Sequence, residues 1–333
     1  MTGTVLVTGG AGYIGSHVVR QLGERGEDVV VLDNLSTGHA RAVLHGQLVV
    51  GDTGDAALVR DLLERHRVET VMHFAAKLVV PESVSQPLEY YGNNVCNTRS
   101  LLQCCRDAGV RHFVFSSTAA VYGDPPGGVA NEDTPPAPIS PYGRSKLMSE
   151  WILRDLGHAH PALRHVILRY FNVAGCDPAG RLGQDTPNAT HLVKVACQHA
   201  AGARSHIEVF GTDYDTPDGT CVRDYIHVED LAAAHVRALD YLRDGGESLT
   251  ANCGYGRGYS VREVLDALGR VHGRALDVRE GPRRPGDSAR IVADASRARR
   301  VLGWTPRHDD LELIVRNALD WELRGTTRRA EAA

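Results

Sequence analysis

No stretch of the chain is apolar for long enough to cross a bilayer, so a membrane-spanning role is not expected. No block of basic residues and no acidic run occurs, and the net charge is only −4. That balance gives no support for a nucleic-acid or anionic-membrane partner. The chain has no C-x-x-C motif. Its seven cysteines are odd in number and scattered, which points to reduced thiols in a cytoplasmic protein and away from a disulfide framework or a zinc site. The sixteen histidines lack the spacing of metal ligands, so no metal is expected. A glycine-rich motif already begins at Gly9, which leaves no room for a signal peptide before it. There is no internal repeat and no low-complexity segment. What remains is a chain of 333 residues, 42% hydrophobic and 23% charged, long enough for one or two domains with a sizeable core.

The apolar run at residues 4–8 reads as a buried parallel strand. Gly9-Gly10-Ala11-Gly12-Tyr13-Ile14-Gly15 follows, and a helical pattern runs from about Ser16 to Gly26. Strand, glycine turn and helix together make a phosphate cradle. Gly9 and Gly12 let the backbone approach a pyrophosphate, Gly15 lets helix pack on strand, and the helix N-terminus offers N–H donors. The next strand, residues 28–33, ends at Asp33, about twenty residues on, where a carboxylate can bind adenosine ribose hydroxyls. A carboxylate there repels a 2′-phosphate, so NAD is expected over NADP. Asn34 and Ser36 also allow Asp33 to be a turn cap.

Strands continue to alternate with helices: a strand at 48–50, a helix at 56–67, a strand at 70–74, a longer helix over 88–108 carrying Asn93, and a strand at 112–116. The pattern predicts an α/β fold with a doubly wound parallel sheet. Asp52, and Phe74 with Ala75 and Ala76, fall at carboxyl strand ends, where such sheets bind ligands. Residues 123–141 read as a Gly/Pro-rich loop over the site.

Ser140-Pro141-Tyr142-Gly143-Arg144-Ser145-Lys146 follows that loop. Pro141 suits a helix's first turn, and spacing of four puts Tyr142 and Lys146 on one face. A free phenol ionises near ~10. A neighbouring ammonium lowers that value and equips the pair for acid–base work near neutral pH. Taken alone, such a spacing is more often an exposed helix face. Beyond the strand at 166–170, which leads into Phe171-Asn172, the pattern loosens into a smaller second lobe. Arg223, Arg283 and Arg284 there have the chemistry to clamp a diphosphate, though any one of them is more often a solvated surface charge.

Read together, TGGAGYIGSH, LDN, HFAA, PLEYYGNN, SSTAAVYGD, SPYGRSK, RYFN, DGTCVRDYIHV and RRPGD resemble the extended short-chain dehydrogenase/reductase superfamily, and within it look most like the UDP-glucose 4-epimerases. The likeness runs from about residue 4 to 320. It implies a Rossmann-like NAD-binding domain over 1–172, a mainly substrate-binding lobe over 173–325 with segments returning to the first, a tail at 326–333, and a homodimer. It makes Tyr142, Lys146 and Thr118 the catalytic residues. For the cofactor it implies Gly9, Gly12, Tyr13, Ile14 and Gly15, with Asp33, Asn34, Leu35, Ser36 and Gly38. Asp52, Thr53, Phe74, Ala75, Ala76, Lys77, Asn93, Ser116 and Phe171 complete that set, alongside Tyr142 and Lys146. For the UDP-sugar it implies Asn172, His191, Phe210, Arg223, Tyr225, Arg284, Asp287 and Ile291, with Thr118 and Tyr142.

The implied reaction is NAD-dependent interconversion of UDP-glucose and UDP-galactose through a 4-keto sugar. Other UDP-sugars, such as UDP-GlcNAc, UDP-glucuronate or UDP-xylose, are alternatives. A 4,6-dehydratase needs an added acid/base pair, often Asp-Glu after the Ser/Thr. Ala119-Ala120 stand there instead. A non-catalytic NAD sensor on this fold is a further alternative, but such proteins usually lose the tyrosine or the lysine. In this resemblance Lys77 lies one place earlier than a lysine near the nicotinamide, His191 replaces an asparagine, and Ile291 stands where side-chain size gates N-acetylated sugars.

Overall fold

The computed structural model describes residues 3–331 apart from 187, 188 and 285, and side chains only up to residue 325. Seven strands form one parallel sheet in the order Leu249–Cys253, Arg164–Tyr170, His112–Thr118, Val68–His73, Thr4–Thr8, Val29–Asp33 and Gln47–Val50. Thr4–Thr8 and Val29–Asp33 are buried along their whole length. Their near-continuous apolar sequence is what a sheet covered by helices on both faces demands. The order reverses between Thr4–Thr8 and Val68–His73, and the crevice outside the strand ends at such a reversal is where these sheets bind ligands.

The helix Tyr13–Glu24 buries Val18, Val19 and Leu22 and packs against the helix Val228–Arg243. On the other face the helices Ala56–Arg65 and Asn97–Asp107 bury Val59, Leu62, Leu63, Leu101 and Leu102. The long helix expected over 88–108 is interrupted. Pro87–Tyr90 and Asn97–Asp107 are α-helical, and Tyr91–Cys96 between them is a π turn. Such one-turn bulges re-aim side chains and concentrate at functional sites.

The smaller second sheet has Val222–His227 at its centre, flanked by Gly258–Ser260, Arg290–Ala293 and Asn172–Ala174. The Gly/Pro-rich segment 123–141 is not only loop: its Val129–Ala130 pairs with Val292–Ala293. Strand Leu249–Cys253 returns from the second lobe to the edge of the large sheet, beside Arg164–Tyr170. The C-terminal helix, Leu311–Glu331, continues through most of the stretch read as a tail, whose last two residues lie outside the described ones. Among the described residues no helix is long and apolar enough to cross a membrane.

Candidate active site

A cleft of about 830 Å³ lies over the carboxyl strand ends, between the two sheets. Pockets of about 300–1,000 Å³ hold small molecules and cofactors. At one end the first strand runs into Gly9, whose φ of +73° suits glycine alone at low cost. The helix then starts at Tyr13, earlier than periodicity suggested, with Gly12 as its N-cap and no side chain capping it. A Cβ at Gly15 would come 2.3 Å from the Gly9 carbonyl oxygen, and one at Gly38 would come 2.7 Å from the Ala11 backbone. The glycines therefore let backbone meet backbone and leave first-turn N–H groups open to an anion. Asp33, buried at the next strand's end, accepts the Ala11 N–H at 2.9 Å and the Leu35 N–H at 2.8 Å. Its carboxylate is thus both the turn cap and the acidic group at the strand end. This backbone cradle and this carboxylate fit a dinucleotide.

Farther along, Asp52 accepts from Asn34 Nδ2 at 2.9 Å and Asn97 Nδ2 at 3.1 Å. Tyr13, Ile14, Ser36, Thr53, Phe74, Ala75 and Ala76 line the same wall. Lys77 and Glu82 form an ion pair of 3.6 Å on the lining. The backbone of Lys77 is gripped twice by Asn94, a buried residue of the π turn: its N–H donates to Asn94 Oδ1, and Asn94 Nδ2 donates to its carbonyl, both at 2.9 Å. Asn94 Nδ2 also reaches Ser145 Oγ at 3.0 Å, on the helix that carries Tyr142. Asn93 lines the cleft beside it. Asn94 escaped the sequence reading, although it is the second asparagine of the same Asn-Asn pair.

The helix Pro141–Ala159 starts as its sequence predicts, with Pro141 in the first turn and Ser140 Oγ accepting the Gly143 N–H at 3.2 Å. A Cβ at Gly143 would meet the Ala120 carbonyl at 2.5 Å, so only glycine lets this helix close onto the turn after Thr118. That contact brings Tyr142 beside Thr118, whose hydroxyl favours the ionised phenol. Both line the cleft.

Two expectations change here. Lys146 does not sit at the phenol's side as a cleft-lining group: it is buried, and its Nζ donates to the Ser116 carbonyl at 2.9 Å, over the ring of Phe115. Tyr142 is not pulled toward neutral pH in the protein alone. Burial pushes its pKa up, and only the Thr118 hydrogen bond works downward. Burial likewise lowers Lys146 to about 8, against the opposing charge of Glu150 one turn on. Desolvation outweighs the attraction that spacing alone suggested. Glu150 is itself buried in a bidentate pair with Arg169 and accepts from Ser117 Oγ. Tyr170, also missed, lines the cleft and meets Ser116 Oγ at 2.5 Å.

At the far end Phe171, Asn172, His191, Arg223, Asp287 and Ile291 line the cleft. Arg223 and Ile291 are paired across neighbouring strands. Phe210, Tyr225 and Arg284 stand outside the lining. Arg284 lies over the Phe210 ring, 4.6 Å from its centroid, and its Nε donates to Asp287 at 3.0 Å. Tyr225 is buried where Asn172 pairs alongside it. Leu35, Gly38 and Ser116 likewise sit behind the wall, not on it. Among the described residues no cluster of His, Cys, Asp or Glu could hold a metal ion.

Residues 5–254 match the NAD dependent epimerase/dehydratase family. The chain belongs to that family. A UDP-glucose 4-epimerase of Azospirillum brasilense is 59% identical over 319 residues, 96% of this chain and 91% of that protein. The crystal structure of UDP-glucose 4-epimerase from Brucella ovis in complex with NAD superposes with a TM-score of 0.93 at 45% identity, covering 97% of this chain and 99% of the other. The UDP-Glc/GlcNAc 4-epimerase of Campylobacter jejuni superposes with a TM-score of 0.85 at 48% identity, over 97% of this chain and 100% of its own. The glycine cradle and Asp33 thus belong to a family named for its use of NAD.

Proposed function

We propose that the protein is a UDP-glucose 4-epimerase, interconverting UDP-glucose and UDP-galactose with NAD held in the cleft. One observation carries the reading: the Tyr142 phenol and the Thr118 hydroxyl line one cleft together with a dinucleotide cradle and with Arg223. Gly9, Gly12, Gly15 and Asp33 would hold the dinucleotide at the cradle end, with Asn93 and the Lys77 backbone walling its other half. Bound NAD supplies a hydride acceptor and donor at the sugar's carbon 4, and in its oxidised form adds a positive charge to the cleft. Tyr142 Oη takes the proton from the 4-hydroxyl and later returns it to the 4-oxygen. Thr118 Oγ1 bonds that phenol and orients it. Lys146 is anchored on the Ser116 carbonyl, and the positive charge of bound oxidised NAD would favour the phenolate. Arg223 grips the diphosphate, so the sugar can turn about its anchored end and present either face. Ala119 and Ala120 beside Thr118 have no proton to give or take, so the residues stop at epimerisation and do not eliminate water.

The sugar test is direct: incubate the purified protein with UDP-galactose, UDP-GlcNAc and UDP-glucuronate and separate the products. UDP-glucose from the first is the expected result, and turnover of the glucuronate alone refutes the assignment. Denaturing the same preparation should release NAD, since a hydride that is returned each cycle leaves no need for cofactor exchange. Finding none, or mostly NADP, refutes the cofactor reading.

The homodimer belongs to the same proposal. Val84 and Leu88, 50% and 81% exposed, and Trp151, 51% exposed, lie on helical segments packed against one another. Large apolar side chains left in water on adjoining elements mark an association surface. Light scattering should show a dimer, and Leu88→Lys with Trp151→Glu should give a monomer. We also place the protein in the cytoplasm, consistent with seven cysteines that all stay unpaired.

A further inference from the structure

His191 is the one imidazole on the cleft wall near Arg223 among the described residues, and it is set from behind. It immediately precedes the helix Leu192–Ala200. Its Nδ1 lies 2.8 Å from Nε2 of Gln184. Gln184 is 7% exposed, and its backbone carbonyl oxygen accepts from two side chains, Trp321 Nε1 at 3.2 Å and Lys194 Nζ. Lys194 is in turn ion-paired with Glu322, both nearly out of solvent. Trp321 and Glu322 belong to the C-terminal helix, which contributes no residue to the cleft lining among the described residues. A chain of contacts therefore runs from that helix through Gln184 to a ring at the substrate end.

The chemistry of the contact restricts the ring. An amide nitrogen donates and cannot accept, so Nδ1 must offer its lone pair. A neutral imidazole with a bare Nδ1 carries its proton on Nε2. Burial, with the positive charge of Arg284, holds the His191 pKa below its ordinary value, in keeping with a neutral ring. The ring then has a single donor, fixed in direction by a buried partner.

We propose that Gln184 is a positioning residue: it locks His191 in the Nε2–H tautomer so that the ring donates one hydrogen bond to an anionic oxygen held beside Arg223, and the C-terminal helix keeps Gln184 in place. The proposal rests on the reading above for the identity of that anion, a nucleoside diphosphate. The other tautomer, with its proton on Nδ1, would instead turn the bare Nε2 lone pair toward the phosphates and weaken their binding. Position 184, itself on the cleft lining, thus tunes diphosphate affinity through the His191 ring.

The test uses the full-length protein labelled with ¹⁵N-histidine, with the His191 signals assigned by their loss in His191→Asn. The expected spectrum has His191 Nδ1 unprotonated and Nε2 protonated near neutral pH, and a protonated Nδ1 overturns the proposal. Gln184→Glu, which can only accept, should move the proton onto Nδ1; an unchanged ring spectrum in that variant also overturns it. Calorimetry with UDP gives the functional arm. Gln184→Glu and Gln184→Leu should each bind UDP roughly tenfold more weakly, the loss of about one hydrogen bond to a charged group, with kcat for UDP-galactose changed less than about threefold. Unchanged UDP affinity in a variant whose ring has switched overturns the link between ring and ligand. Failure of the wild-type protein to bind UDP at all overturns the substrate reading instead, and the ring spectrum reports on Gln184 independently of it.

Discussion

Acidification should destabilise this protein well before most of its carboxylates are neutralised, because burial disfavours the protonated form of four of its histidines in the folded state. His73, His165, His227 and His235 are all buried. Burial lowers His73 to about 3, and His165, His227 and His235 to about 4. His235 shows the cause most plainly. Its Nδ1–H donates to the Leu231 carbonyl at 2.9 Å, and its Nε2 faces the rings of Phe74 and Tyr170 with no hydrogen-bond partner among the described residues. A proton added there would be a bare charge among aromatic side chains. In the unfolded chain each of these rings titrates near ~6.5. Between the two values the unfolded state binds more protons than the folded one, so stability is full above about pH 6.5 and is lost as pH falls toward about pH 4. At about pH 5 each histidine contributes ~2 kcal/mol of destabilisation, on the order of 8 kcal/mol for the four. Asp224 opposes this. Its buried carboxyl is raised to about 6, so the folded state gains a proton and about 1 kcal/mol over the same interval. His308, raised by its bond to Asp230, also opposes it. The remainder compares with a whole folding stability of about 5–15 kcal/mol. Guanidinium unfolding followed by circular dichroism near pH 7.5 and near pH 5 measures the difference. His235→Leu isolates one term and should flatten the pH dependence by about 2 kcal/mol over that interval. Equal stability at both pH values, or an unchanged slope in His235→Leu, would refute the reasoning.

Tyr142→Phe removes the hydroxyl that moves the proton and should cut kcat by about a hundredfold or more with no change in thermal midpoint; activity within tenfold of wild type would end the acid–base assignment. Glu150→Ala leaves the Arg169 guanidinium, 1% exposed, without its carboxylate, and should cost about 3–5 kcal/mol in denaturant unfolding; a loss below about 1 kcal/mol would show the pair to be dispensable. Ile291 is 6% exposed and lines the cleft, so an added acetamido group would crowd it by on the order of 1–3 kcal/mol. UDP-galactose should then be preferred over UDP-GalNAc by roughly tenfold to a hundredfold in kcat/KM, and Ile291→Gly should narrow that gap; an unchanged ratio in the mutant removes Ile291 as the gate.

The cradle was legible because it is local. Gly9, Gly12 and Gly15 between a strand and a helix carry their own geometry, and so does a Ser-Pro start followed by Tyr142 and Lys146. What could not be read is where long side chains end. The ammonium of Lys146 goes to the carbonyl of Ser116, thirty residues earlier, and no spacing rule contains that partner. Arg223 and Tyr225 share a strand face by alternation, yet only Arg223 reaches the cleft, because Asn172 pairs alongside Tyr225. Arg284 lies over the Phe210 ring, across a gap of more than seventy residues that no spacing rule spans. The π turn at Tyr91–Cys96 left no mark in the periodicity of 88–108, although it is what turns Asn94 toward both Lys77 and Ser145.

The return of Leu249–Cys253 to the large sheet has a consequence for anyone recombining this protein with a relative. The chain leaves the large sheet after Tyr170, builds Asn172–Ala174 and Val222–His227 of the second sheet, comes back for Leu249–Cys253, and departs again for Gly258–Ser260 and Arg290–Ala293. A single splice near residue 172, the boundary that looks natural on paper, would graft onto the host a foreign edge strand that must register with Arg164–Tyr170 residue by residue. A working chimera that exchanges the sugar-binding half needs a second and a third junction, so that Leu249–Cys253 stays with the sheet it completes.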